Sequence, residues 1–149
     1  MQLTQKETEL LKDLQDEEKL CIEKYTKHSS AAKDAQLKNL FSSIATVEKE
    51  HLKLLDSIAT GTVPTFSGTS STGTTFTSVY GNGDTPDKQN DCYLCTDVLT
   101  TEKHASHLYD TCVFEFGDEG CRNIMNQIQK QEQEHGKMIY DYMNTNGMY

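Results

Sequence analysis

The stretch IMNQIQKQEQEHGKMIYDY, residues 124–142, decides the fold of this chain. Its apolar residues recur every three or four positions, which is the spacing of the buried face of an α-helix. A glutamate and a histidine fall on the same face, where a helix normally carries apolar side chains. The residues of that face are Ile124, Ile128, Glu132, His135, Ile139 and Tyr142.

The pattern occurs twice, because a shift of 84 residues lays the chain on itself. The pair Glu48 and His51 then matches the pair that begins at Glu132. A further glutamate lies 30 residues before each pair, at Glu18 and at Glu102. Each half therefore predicts two helices with apolar stripes, joined by a short break into an antiparallel hairpin.

We expect one all-α domain over residues 1–149, a four-helix bundle built from two repeated helical hairpins with a long crossover loop. The hairpins are expected at about 4–59 and about 90–145. The Thr/Ser/Gly-rich crossover, about 60–89, is long enough to run the length of a bundle, and its alternating pattern favours a short strand or a contact with another subunit. Gly117 is expected to end a helix in the left-handed conformation.

Four carboxylates on buried helix faces need compensating charge, since burying even one unpaired ionised carboxylate is costly. Two divalent cations would supply it. Ferritin-like di-iron and di-manganese bundles have this ligand pattern: two helices each supply one Glu, and the other two each supply a Glu-x-x-His pair. The predicted metal ligands are Glu18, Glu48, His51, Glu102, Glu132 and His135.

Oxygen and imidazole ligands favour iron or manganese as the two divalent metal ions, and zinc also fits them. The alternative is a polar core in which the same glutamates and histidines only hydrogen-bond to one another.

Two tyrosines lie about two helical turns from the lone glutamates. Tyr25 and Tyr109 are either core aromatics with a hydrated hydroxyl, which is the interpretation that we favour, or hydrogen-bond donors beside the ligands. His28, His104 and His107 fall outside the apolar stripes, so we expect them at the surface. No residue is singled out as catalytic.

The net charge of −9 argues against nucleic acid as a partner, because an acidic surface repels phosphates. No segment approaches the roughly 20 apolar residues of a membrane span. The polar start of the chain does not resemble a signal peptide. We therefore expect a product that is made in the cytoplasm and has no membrane partner.

The chain has five cysteines, which are Cys21, Cys92, Cys95, Cys112 and Cys121. In a cytoplasmic product they are expected to be mostly reduced thiols. The single C-x-x-C pair is too small for a tetrahedral thiolate site, which usually takes four ligands. Because the count is odd, at least one thiol lacks an internal partner and is available for a disulfide or cross-link between molecules.

The chain resembles the spore coat protein F (CotF-like) family, within the ferritin-like superfamily that includes rubrerythrin. The resemblance is closest in TDVLTTEKHASHLYDTCVFEF, in RNIMNQIQKQEQEHGKMIYDYM and in NTNGMY. It implies a protein made in the mother cell and placed in the spore coat or on the spore surface, with other coat proteins as partners. The chain lacks a rubredoxin tail, so reductive chemistry needs an external electron donor.

Two functions of different classes follow. The first, which we favour, is a structural subunit that self-associates into a homo-oligomer or into a coat or filament assembly and keeps a di-metal site. The second is an enzyme: a di-iron or di-manganese oxidase, peroxidase or catalase acting on oxygen or hydrogen peroxide, similar to rubrerythrin or to manganese catalase. The sequence leaves open whether the protein is an enzyme.

Overall fold

The computed structural model describes residues 1–68 and 74–149. The described chain is all-helical, as predicted, and has four helices and no strand. None of these helices combines the length and the apolar character that crossing a membrane requires. The helices are α1 (Gln5–Ala31), α2 (Ala35–Ala59), α3 (Pro86–Glu115) and α4 (Glu119–Thr145).

Each helix begins at a residue whose side chain satisfies a free backbone N–H of the first turn. Thr4 and Glu7 form a reciprocal capping box at the start of α1. Thr85 caps α3, and Pro86 follows it at a position where no N–H is needed. Asp34 and Asp118 cap α2 and α4. A capped helix therefore begins directly after each of the two short breaks, 32–34 and 116–118.

The break between α3 and α4 differs from the prediction. The helix ends at Glu115, and Gly117 does not adopt the left-handed conformation expected of it. Side chains close this turn instead. Glu7 accepts a hydrogen bond from the Gly117 N–H at 3.2 Å, and Arg122 donates to the carbonyl of Gly117 at 2.7 Å.

The helices pack as two pairs, α1 with α2 and α3 with α4, and α1 also packs on α3 while α2 packs on α4. Two apolar clusters fill the two ends of this arrangement. One contains Tyr25, Phe41 and Tyr142, and the other contains Leu14 and Ile128. The layer between the clusters is polar and buried, and it holds the predicted ligands.

The crossover between α2 and α3 contains no strand in its described residues, so the predicted strand is wrong there, whereas the alternative, a contact with another subunit, stays a prediction; residues 69–73 lie outside the described residues. In this segment, backbone N–H groups form hydrogen bonds with side chains of the helical hairpins instead of with another strand. The Thr77 N–H donates to Gln36, the Val79 N–H donates to Asn146, and the Tyr80 hydroxyl donates to Asp91 at 2.6 Å.

Candidate metal centre

The structure brings the six predicted ligands together in the polar layer of the bundle. Their side chains form two groups that could each hold a metal ion, with ligand atoms within 4.8 Å of one another in each group. All six residues are at most 3% exposed. The first group is Glu18, Glu48, His51 and Glu132, and the second is Glu48, Glu102, Glu132 and His135.

The first group is centred on the Nδ1 atom of His51. This atom lies 3.2 Å from Glu48 Oε2, 3.1 Å from Glu132 Oε1 and 3.6 Å from Glu18 Oε1. Glu48 and His51 are three residues apart on α2, so both side chains project from one helix face. The other helices supply the remaining two carboxylates.

The second group repeats this geometry around His135 Nδ1. It lies 3.1 Å from Glu48 Oε1, 3.4 Å from Glu102 Oε1 and 3.6 Å from Glu132 Oε2. Glu48 and Glu132 therefore each turn one oxygen toward His51 and the other toward His135. Each of these two carboxylates therefore contributes an oxygen to both groups and would be shared if both groups held an ion.

Several of the ligand atoms have no partner within the described chain. One oxygen of each glutamate and the Nδ1 atom of one histidine are buried without a hydrogen bond. Such atoms are rare in folded proteins, because each costs the free energy of its lost hydration. Cations at the two groups would satisfy them, so these residues fit a pair of metal ions. The atoms are Glu18 Oε2, Glu48 Oε1, Glu102 Oε2, Glu132 Oε2 and His135 Nδ1.

Protons balance part of the charge in this arrangement. Burial lowers the pKa of His51 and of His135, but the carboxylates close to each Nδ1 atom outweigh burial and raise both pKa values well above the usual value. Burial and the charges of Glu132 and Glu48 raise the pKa of Glu102 well above its usual value. The pKa of Glu132 falls: burial and Glu48 oppose this, but the close contacts with Glu102 and both imidazoles prevail.

The two tyrosines near the site join the hairpins crosswise. Tyr25 of α1 donates to Glu102 of α3, and Tyr109 of α3 donates to Glu18 of α1, both at 2.5 Å. Both tyrosines are fully buried, so the favoured interpretation of a hydrated hydroxyl is wrong. Burial, followed by the neighbouring carboxylate charges, raises the pKa of each phenol well above its usual value.

Sequence reasoning missed Gln131, whose Oε1 lies 2.6 Å from His51 Nε2. An amide oxygen there accepts a hydrogen bond from the Nε2–H group, which leaves Nδ1 to face the carboxylates. The signal was available only as a break in the repeat, since the matching residue in the first half is Val47.

The other histidines divide into two kinds. His104 and His107 are exposed, as expected. His28 is not at the open surface, because its Nε2 bonds to Asp97 at 2.7 Å and its side chain is 17% exposed.

The cysteines are free thiols in this structure, and four of them, Cys21, Cys95, Cys112 and Cys121, are buried. Cys92 is half-buried. Burial raises the pKa of Cys112 to about 12 and that of Cys121 to about 11, so both resist forming thiolates. The cross-link between molecules remains a prediction, and this geometry directs it to Cys92.

The fold and the site define a four-helix chain with a buried carboxylate–histidine cluster. A family model described as the Coat F domain matches residues 90–149, which hold most of α3 and all of α4. The matched part contains Glu102, Glu132 and His135. The match supports the resemblance to a spore coat family. Comparison with curated proteins and with solved structures finds no match.

The protein stripped of cations should lose stability as pH rises. The imidazoles of His51 and His135 have raised pKa values in the folded state, so their protonation stabilises the fold fully below the unfolded pKa of about 6.5 and is lost as pH rises through the folded pKa. In chelator, the melting temperature followed by circular dichroism should fall as the pH rises above about 6.5.

A His104→Gln variant is the matched control, because it removes an exposed imidazole and should keep the same slope. A melting temperature that rises steadily over this range would contradict the assignment of protons to the two buried imidazoles.

Proposed function

We propose that this protein is a structural component of the spore coat or spore surface, a ferritin-like bundle whose core binds two divalent metal ions. The observation that carries the metal site is the sharing of Glu48 and Glu132 between two buried groups of ligands. The match of residues 90–149 to the Coat F domain supports the location.

Charge supports two ions rather than one. The site contains four carboxylates, and two divalent cations neutralise all four when the histidines are neutral. A single cation would leave two carboxylates to be neutralised by protons at a depth where desolvation is expensive. Carboxylate oxygens with one imidazole for each ion favour iron or manganese, while zinc also fits this ligand set.

The chain's own residues hold the site in shape. Tyr25 and Tyr109 orient the carboxylates of Glu102 and Glu18, and Gln131 orients the imidazole of His51. Partners of this kind keep ligands in one orientation before an ion arrives. Because each tyrosine bonds to a glutamate of the other hairpin, the same contacts tie the halves of the bundle together.

Exposed aromatic side chains support self-association. On α3, Phe114 is 84% exposed and Tyr93 is 71% exposed, and Cys92 lies beside Tyr93. Large apolar groups in water favour contacts with other protein surfaces. A coat subunit with such groups on one helix is suited to packing against further copies or against other coat proteins.

Removing a shared carboxylate should abolish metal loading and the stability that it provides. Wild-type protein refolded with Fe²⁺ or Mn²⁺ should retain two ions per chain by elemental analysis, with anomalous scattering at the two groups. At a free-ion concentration 100 times the Kd, each ion adds about 3 kcal/mol to the free energy of unfolding. Glu48→Ala should lose the ions and this gain, because Glu48 contributes to both groups.

Glu50→Ala is the matched control on the same helix. Glu50 is exposed and forms a surface ion pair with Lys53 at 3.1 Å, so its loss should change stability by less than about 1 kcal/mol and leave loading intact. Wild-type protein that retains no metal, or a Glu48→Ala variant that retains two ions, would refute the site.

Oxidation should link pairs of chains through a disulfide between their Cys92 residues. Non-reducing electrophoresis of oxidised protein should show covalent dimers, and electron microscopy should show larger assemblies in which such dimers pack without further covalent links; Cys92→Ser should prevent the dimers. Cys95→Ser is the control, since Cys95 is buried and should not change the result. Small uniform oligomers of wild-type protein under every oxidising condition would argue against an assembling coat subunit.

A second candidate function is reaction of the di-metal centre with oxygen or hydrogen peroxide. It is favoured by the buried phenols of Tyr25 and Tyr109, which lie within hydrogen-bond distance of the ligands. The metal ions would supply oxidant binding and redox change. The residues of this chain would exclude bulk water, hold the carboxylates and keep a phenolic proton at Glu18 and at Glu102.

Metal-loaded wild-type protein should then consume hydrogen peroxide, or oxidise Fe²⁺, faster than buffer. The Glu48→Ala variant, treated identically, gives the background. Rates equal to that background for iron-loaded and manganese-loaded protein would reject this candidate and leave the structural role as the function of the site.

A further inference from the structure

A cavity of about 320 Å³ lies between α3 and α4 and reaches the polar layer of the bundle. Glu102 and Glu132 form its inner end, and both are at most 3% exposed. His107 and Asp110, both exposed, lie at its outer end. The cavity thus extends from solvent toward two of the site's carboxylates.

The repeat is broken at two positions that line this cavity. Ser106 and Gly136 stand where the first hairpin carries Ile22 and Leu52. Both substitutions remove several carbon atoms from the groove between the helices. The second hairpin is therefore open at a place where its counterpart carries bulky apolar side chains.

Local structure gives no reason for a glycine at position 136. Gly136 does not have a positive φ, and a Cβ there would meet only Leu99 Cδ1, at the ordinary contact distance of 3.6 Å. A glycine inside a helix costs about 0.5–1 kcal/mol relative to alanine. The small residue is explained by the space that it leaves beside the site.

The charge of the lining suits a cation. Glu102, Glu132 and Asp110 bring three carboxylates, against one ammonium group from Lys103. Glu102 Oε2 and Glu132 Oε2 are buried without a hydrogen-bond partner in the described chain. His107 and Asp110 are three residues apart on α3, so their ligand atoms share a helix face at the outer end.

A second cavity, of about 490 Å³, approaches the site from the other side and is less suited to this role. It is lined by His51 and Gln131, but by none of the site's carboxylates. Gln131 occupies the Nε2 edge of His51, whereas the ligand atom Nδ1 faces the carboxylates. This cavity therefore ends behind the imidazole.

We propose that the cavity between α3 and α4 is the route by which divalent cations reach the two groups, with Asp110 and His107 collecting them at its mouth and Ser106 and Gly136 keeping it open. This rests on the proposed metal site. Glu102 and Glu132 are then the first buried carboxylates that an incoming ion meets, and both belong to the second group.

The test is the rate at which the full-length, metal-free protein takes up Co²⁺, followed by visible absorption after rapid mixing. Gly136→Leu and Ser106→Ile each restore the bulky residue of the first hairpin and should slow uptake about tenfold or more, since interiors are packed too densely to pass an ion elsewhere. Gly136→Ala, which adds helix propensity without filling the groove, should take up Co²⁺ at the wild-type rate.

The attraction of cations by Asp110 is tested separately, by the dependence of the Co²⁺ uptake rate on ionic strength. Asp110→Asn should lower the uptake rate at low ionic strength, and the difference from wild type should shrink as salt screens the charge. Elemental analysis at equilibrium should give the same Co²⁺ content for all four variants as for wild type, because only the route is altered.

The two proposals fail differently. If wild-type protein binds Co²⁺ and neither filling variant slows its uptake, the route is wrong and the metal site stands. If wild-type protein binds no Co²⁺ at equilibrium, the site is wrong and the route is rejected with it. If Gly136→Leu is misfolded by circular dichroism, Ser106→Ile alone decides, with slow uptake supporting the route and unchanged uptake overturning it.

Discussion

Four carboxylates in the middle of a helical bundle are the constraint on which the rest of this structure depends. Glu18, Glu48, Glu102 and Glu132 are almost completely removed from water. Their charge must be met by protons, by imidazoles or by cations. The apolar clusters at the two ends of the bundle exclude water from this layer. The free energy gained by burying them offsets the free energy lost by desolvating the carboxylates.

The four helices could be predicted because helical periodicity and the internal repeat act over many residues. The six residues of the two groups were identifiable because glutamate and histidine on an apolar stripe contradict the hydrophobic pattern around them. The predictions that failed concern the local structure of a turn and of the crossover. Gly117 did not take the left-handed conformation because side chains form hydrogen bonds with its backbone. Glu7, distant in sequence, accepts from its N–H, and Arg122, on the next helix, donates to its carbonyl. The crossover forms hydrogen bonds with Gln36 and Asn146, and an alternating sequence pattern does not identify such partners.

Departures from the repeat proved as informative as the repeat itself. Where the halves agree, at Tyr25 and Tyr109, each hairpin donates a hydrogen bond to the other's lone glutamate. Where they disagree, at Gln131 and Gly136, the two sides of the site acquire different surroundings. The repeated unit thus supplies the residues of the two groups in pairs, while the unpaired residues leave a cavity beside one group and place an amide against the imidazole of the other.

The sharing of Glu48 and Glu132 also has a thermodynamic meaning. An ion in either group would fix both carboxylates and displace protons that the other group must also lose. The ordering that the second ion requires is then already complete, although the like charges of the two ions oppose this gain. If both groups bind ions as proposed, their occupancies would be linked reciprocally, and each group's affinity would depend on whether its neighbour is filled.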